Sequence, residues 1–435
     1  MNTHMDIATV STLFLSVAVF LFVISCLTPA IVLIKKKFAS KEKCTIRINE
    51  DPEMTKKVPM GTTLLAALTK EGISIPSSCG GKATCKQCRV RIMKGAEEPL
   101  ETDKGTFSKR QLKDGWRLSC QTKLHDDVHI HIPEELINVK EWKAKVVSNK
   151  NVATFIKELE IELEGDEAMP YKSGGYAQIA IPPYETSTEE WKETIDPIYW
   201  DDWDTFGMWN RKIDFRKLAK GGVQRAYSMA SYPEEGKKLL FNVRIASPPL
   251  QDGKVADSIP WGIGSSYLFS LKPGDEITLQ GPYGESFMID DERDLYFLIG
   301  GAGSSFARAH ILHLFYTEKT DRAISLWYGA RALRENIYQK EFEHLEKTYP
   351  NFNYHLVLSE PQEEDVEKGW PLKDPLKTNF LFRAFEEGQL KEMKAPEEAL
   401  YYVCGPPMHN KSVMKLLDDW GVPKENIVFD DYCST

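Results

Sequence analysis

Four cysteines constrain this chain more tightly than any other feature. Cys79, Cys85 and Cys88 share one loop, "CGGKATCKQC", and Cys120 returns after 31 further residues. Three thiolates at C-x5-C-x2-C spacing can surround one small object, and a distant fourth closes the coordination sphere. Gly80 and Gly81 follow the first ligand, where backbone without Cβ can bend sharply and turn N–H groups toward sulfide. The pattern reads as a 2Fe–2S site. A four-thiolate zinc site is the alternative, although zinc knuckles usually pair CxxC with CxxC and only one such pair occurs here. Cys26, Cys44, Cys404 and Cys433 show no pairing pattern, which suits a reducing compartment.

A chain of 435 residues has room for two to four domains. Its formal net charge of −9 argues against a nucleic-acid-binding surface. One stretch stands apart: Ile7 to Ile34 runs for 28 positions without a charged residue, and Lys35, Lys36 and Lys37 follow at once. About 20 apolar residues cross a bilayer core. Basic residues on the C-terminal side place that end in the cytoplasm. The alternative is a cleaved signal peptide, but the apolar run is long for one and its charges lie on the wrong flank.

The rest divides by pattern. Residues 1–37 form the expected anchor. Residues 38–138 read as a small α+β unit: the alternating "KCTIRINED" and "TKKVPMG" suggest a hairpin, "TTLLAALTKEG" has helical spacing, and strands "RVRIMKG" and "DVHIHIPEE" flank Cys120. Residues 139–290 carry short strands with Gly/Pro turns, the signature of an antiparallel β-barrel. In residues 291–435 strand and helix alternate, as in a Rossmann-like α/β sheet.

Within the barrel segment, "RAYS" holds Arg225, Tyr227 and Ser228, and alternation puts Arg225 and Tyr227 on one face and Ser228 on the other. An arginine fork suits phosphate, a flat aromatic ring suits stacking, and a helix opening at "GIGSS" (Gly262, Ser265, Ser266) offers N–H groups to an anion. Arg244 of "LLFNVRIAS" joins this cofactor-binding set. In the last segment, "GGAG" (Gly300, Gly301, Ala302, Gly303) follows an apolar strand as a dinucleotide-binding turn would. "YGAR" (Tyr328, Gly329, Arg331) and "CGPP" (Cys404, Gly405, Pro406) end later strands, where parallel sheets bind ligands.

These motifs, in this order, resemble the ferredoxin-NADP reductase superfamily, and the first module resembles a β-grasp plant-type ferredoxin. The resemblance implies that Arg225 pairs with the pyrophosphate of FAD, Tyr227 packs on its ring system, and Ser228 lies at its reactive nitrogen. It also implies that Cys404 sits beside the nicotinamide. The sequence departs from the superfamily pattern at Phe306, where a proline is usual. The whole order of anchor, ferredoxin, flavin and nicotinamide modules is similar to the NADH-oxidising subunits of bacterial sodium-translocating NADH:quinone reductases. Membership would imply FAD and a 2Fe–2S cluster, NADH as substrate, ubiquinone as the eventual acceptor, and partner subunits in the inner membrane. It would also imply an aromatic cover for the flavin, for which Tyr432 is the candidate, and catalytic roles for Ser228, Cys404 and Tyr432. The rivals are an oxygenase reductase component, which normally lacks a membrane helix, and a tethered iron–sulfur relay without flavin. Sodium movement is expected in other subunits, since the single span holds no charge.

Residues 184–220 form an insertion in the barrel segment. Glu185 to Asp204 includes eight acidic residues and one lysine, with Trp191, Tyr199, Trp200 and Trp203 among them. Two readings stand: aromatics folded onto their own barrel, or a docking surface whose aromatics serve an interface.

Overall fold

The computed structural model describes residues 43–73, 75–77, 81–84, 86–132, 139–218, 222–256, 258–284 and 286–430, together with Ser16, residues 19–25 and residues 27–28 near the N-terminus. The expected bilayer segment, Ile7 to Ile34, therefore lies largely outside the described residues. Its described part is helical and exposed. Among the described residues no helix is long and apolar enough to cross a membrane. Cys79, Cys85 and Tyr432 also lie outside them.

The chain forms two compact units. Among the described residues, one comprises Ser16, residues 19–25, 27–28, 43–71 and 90–132, and the other comprises those of 72–89 and of 139–430.

The first unit is a five-stranded sheet. β1 (Lys43–Ile48) and β2 (Asp51–Pro59) form a hairpin, and β3 (Arg89–Lys94), β4 (Trp116–Leu118) and β5 (Val128–His131) complete the order β2-β1-β5-β3-β4. Asn49 and Glu50 make the two-residue turn in left-handed backbone, φ 51° and 58°, a conformation asparagine tolerates well. The Asn49 amide also bonds both backbone groups of Ile132, which ties the hairpin to the end of β5. β1 alternates buried Cys44, Ile46 and Ile48 with more exposed residues, and β1 and β5 run parallel. Helix α1 (Leu64–Lys70) is capped by Thr63 and buries Leu64, Ala67 and Leu68. Asp103, only 2% exposed, accepts from the backbone N–H of Leu100 and Leu118. A buried carboxylate thus replaces missing backbone partners.

The second unit opens with a barrel. Its strands are β6 (Lys140–Ala153), β7 (Ile156–Leu163), β8 (Tyr176–Ile181), β11 (Val223–Ser228), β12 (Lys238–Arg244) and β15 (Glu276–Tyr283), hydrogen-bonded in the order β11-β8-β15-β6-β7-β12. An antiparallel bridge between Met229 and Phe241 joins the two edges. The insertion contributes β9 (Glu185–Ser187), paired with β10 (Lys212–Asp214). Two short outer strands, β13 (Leu250–Gln251) and β14 (Lys254–Val255), pair with each other.

The insertion's aromatics resolve the two readings in favour of the first. Trp191, Tyr199 and Trp203 are buried in the barrel core, and Trp203 stacks on Trp209 at 4.7 Å. Their indoles are satisfied internally: Trp203 donates to Thr154 O and Trp191 to Thr186 Oγ1. They are not available as anchors for an interface.

A parallel sheet follows, in the order β18 (Phe352–Leu358), β17 (Ile324–Ala330), β16 (Leu295–Gly300), β19 (Leu400–Cys404), β20 (Ile427–Phe429). The chain runs outward from β16 through β17 and β18, then returns to place β19 on the other side. The strand order reverses between β16 and β19, and the carboxyl ends there form the crevice where open α/β sheets bind ligands. Helix α2 (Ile263–Ser270) belongs to the barrel; α3 (Ser304–His313), α4 (Gln339–Thr348), α5 (Leu381–Gly388) and α6 (Pro407–Asp419) cover the sheet. The segment "LRENIYQKEFEHLEK" is not one continuous helix: it breaks at Tyr338, which has left-handed backbone at φ 62°, and α4 starts after it.

Barrel and sheet are riveted together. Arg308 of α3, 8% exposed at its side chain, forks onto Glu235 from the barrel and Glu341 from α4 at 2.9 and 2.8 Å. Burial works against its charge, and the two carboxylates outweigh that and hold it firmly protonated. Asn242 of β12 donates to Ser304 Oγ and accepts from the Tyr338 hydroxyl. Phe306, at the place where proline was expected, lies inside α3 and packs edge-on against His310 at 4.6 Å.

Candidate active site

A cavity of about 960 Å³ lies where the edge strand β11 and the N-terminus of α2 face the carboxyl ends of β16, β17 and β19. From the barrel it takes Arg225, Tyr227, Ser228, Arg244, Gly262 and Ser265. From the sheet it takes Gly300 to Gly303, Gly329, Arg331, Gly405 and Pro406. Because β11 is an edge strand at the barrel mouth, alternation does not remove Ser228 from this wall. Its hydroxyl donates to Asp430 Oδ2 at 3.3 Å.

Two glycines make the walls close enough. A Cβ on Gly264 would lie 2.8 Å from both Arg225 Cγ and the Tyr227 hydroxyl, so only glycine lets α2 begin against those side chains. A Cβ on Gly303 would lie 2.4 Å from Cys404 O. The turn after β16 can therefore rest directly on the end of β19. Four guanidinium groups (Arg225, Arg244, Arg331, Arg383) against two carboxylates (Glu335, Asp430) give the lining a cationic balance suited to phosphate.

Three expected site residues are placed elsewhere. Ser266 is fully buried and does not line the cavity, and its N–H is spent on Gly262 O inside α2. One residue further along a helix is a 100° rotation, which turns it into the barrel. Tyr328 is fully buried and braces the glycine turn from beneath, its hydroxyl donating to Gly301 O and Glu335 O at 3.3 Å. Cys404 is also fully buried, in the apolar core under Gly303, and does not line the cavity. As the last residue of a central strand paired with Ile299, it points into the sheet's own packing. Arg331 does line the cavity, but its guanidinium is already held by Asp202 of the insertion at 2.7 Å.

Sequence reasoning missed other lining residues: Gly264, His409, Asp430 and the run Asn379 to Arg383. The second glycine of "GIG" was a readable signal for Gly264. His409 follows "CGPP" without belonging to it, and Asp430 stands two residues before Tyr432. Of the cluster cysteines, Cys88 and Cys120 are buried, and the Gln121 amide donates to Cys120 Sγ at 3.5 Å. Among the described residues no three metal-ligating side chains converge, with Cys79 and Cys85 outside that set.

A barrel facing the switch point of a parallel sheet, in a chain whose sequence also carries the four-cysteine pattern, defines a ferredoxin reductase-type oxidoreductase. Residues 46–125 match the family described as 2Fe-2S iron-sulfur cluster binding domain, and residues 297–414 match the oxidoreductase NAD-binding domain. In fold the chain is similar to an Amycolatopsis cytochrome P450 reductase, GcoB (TM-score 0.59, 19% identity, 90% of this chain and 100% of that one). It is likewise similar to the ferredoxin reductase in carbazole 1,9a-dioxygenase (TM-score 0.55, 20% identity, 90% and 99%).

The chain belongs to the family of Na(+)-translocating NADH-quinone reductase F subunits. It is 55% identical to the Chlamydia felis subunit over 96% of this chain and 98% of that one. The Chlamydia muridarum subunit is 55% identical over 93% and 94%, and the Pseudomonas aeruginosa subunit 42% over 97% and 98%.

Proposed function

We propose that this chain is the electron-input subunit of a sodium-translocating NADH:quinone reductase. It oxidises NADH at the cavity and passes electrons through a 2Fe–2S cluster to partner subunits and finally ubiquinone. One observation carries the reading: a single cavity joins the edge strand of the barrel to the switch point of the parallel sheet. Its volume, about 960 Å³, stands at the upper end of the range for small-molecule sites.

The residues present fit FAD on the barrel side. Gly262 and Gly264 leave the N-terminus of α2 open to an anion, Arg225 supplies a bidentate donor, and Tyr227 a stacking face. FAD, when bound, accepts a hydride and releases its electrons one at a time, which suits a one-electron cluster. Ser228 presents a hydroxyl held by Asp430, and Gly301 and Gly303 let the sheet approach. The four thiolates Cys79, Cys85, Cys88 and Cys120 would hold the cluster, by their spacing and by the matched 46–125 segment. Ile7 to Ile34 would serve as a single inner-membrane anchor with the body on the cytoplasmic side. The exposed apolar side chains of Val19, Phe20, Leu21 and Phe22 support that.

The visible spectrum of the purified full chain, with and without NADH, tests the proposal: flavin bleaching and cluster reduction are expected together. In the assembled complex, alanine at Cys88 should abolish quinone reduction and leave NADH oxidation by an artificial two-electron acceptor. Loss of both activities with flavin still bound would overturn the serial order.

A further inference from the structure

His409 is the third residue of α6 and lines the cavity between the ends of β16 and β19. Its Nε2 lies 3.1 Å from Leu298 O. A backbone carbonyl can only accept, so Nε2 carries the proton. Burial holds the ring below the usual histidine range, which keeps it neutral. Nδ1 is then a bare lone pair. It has no hydrogen-bond partner among the described residues, and it faces the turn after β16, 3.4 Å from the Cβ position of Gly300. The other edge of the ring rests on Gly405, where a Cβ would lie 2.6 Å from His409 Cδ2. The ring is thus held in place by two glycines and a carbonyl, with one acceptor turned toward the crevice.

We infer that His409 is a positioning residue that accepts a hydrogen bond from the nicotinamide-riboside half of the bound dinucleotide. The chemistry excludes the pyrophosphate, whose oxygens also only accept. What remains is a ribose hydroxyl or the carboxamide NH2. The half of the ligand follows from place. Asp430, which accepts from the Ser228 hydroxyl, donates its own N–H to Val403 O near the end of β19, so the crevice beside β19 and His409 is the side nearest Ser228. The aromatic pair Phe380 and Phe382, with Arg383 over Phe382, lies instead beyond β17 and β18 and suits the adenine half. This inference rests on the reading of the cavity as an NADH site.

The test is equilibrium binding of NAD+, ADP-ribose and ADP to the flavin-loaded full chain, since NAD+ binds without reducing the flavin. His409→Phe should raise the Kd for NAD+ about tenfold, the loss of one hydrogen bond, and leave that for ADP unchanged. His409→Gln keeps a donor for Leu298 O and an acceptor oxygen, and should restore NAD+ binding to within about threefold. ADP-ribose weakening in step with NAD+ would support the inference with the ribose hydroxyl as donor, and weakening of NAD+ alone would support it with the carboxamide. Unchanged NAD+ affinity in His409→Phe, or equal loss for ADP, would overturn it. A wild-type chain that bound ADP but no NAD+ would overturn the functional reading, and this inference with it.

Discussion

Lys157 shows how far burial alone can move a charge. It is fully buried in the barrel, donates to Thr194 Oγ1 and Phe269 O, and burial pushes its ammonium down to about 7. The folded chain therefore loses this proton near pH 7, whereas the unfolded chain keeps it to about pH 10.4. Between those values the unfolded state binds more protons, so stability should rise with pH, by at most about 1.4 kcal/mol per pH unit from this group. Denaturant titrations of Lys157→Met should show that rise removed. Gly264 makes a steric prediction at the same scale. Gly264→Ala drives a methyl into Arg225 and Tyr227 and should lower flavin affinity by at least about tenfold, read from flavin content at unchanged melting temperature. Individual roles were only partly legible in the chain. "RAYS" fixed three wall residues because a strand edge is a one-dimensional pattern. Cys404, Ser266 and Tyr328 could not be judged, because burial depends on what packs over a motif and not on the motif.

At the level of elements, the insertion is a wall of the barrel and not an appendage. Trp203 is completely buried between Phe155, Trp191 and Trp209, so Trp203→Ala should cost about 3–5 kcal/mol in chemical denaturation. Retention of wild-type stability would mean the segment is dispensable. The element types themselves were readable. Alternation gave β1 and β5, and helical spacing gave α1, because each has one buried face. The strand order was not, since it depends on pairings between segments more than a hundred residues apart, such as β6 with β15. The dense acidic run hid the insertion's role. Asp201 and Asp202 look like a solvated face in sequence, yet they bind Arg334 and Arg331 of the sheet.

Across the second unit, stability and geometry meet at Arg308. Removing it leaves Glu235 and Glu341 without their cation, in a site where its own side chain was 8% exposed. Arg308→Met should therefore cost about 3–5 kcal/mol, and a melting curve that splits into two transitions would show barrel and sheet parting. The order of ferredoxin-type unit, barrel and parallel sheet was legible because each carries its own periodicity. The join was not, since Arg308, Glu235 and Glu341 belong to no motif.

That rivet bears on traffic through the enzyme. With barrel and sheet stapled across α3 by Arg308, swinging the two halves of the cleft apart like jaws would break a buried ion-pair cluster. Spent coenzyme is then expected to leave along the rim where Met408 stands in solvent. Bulk or charge introduced at that doorway should slow departure while leaving the hydride-transfer step untouched.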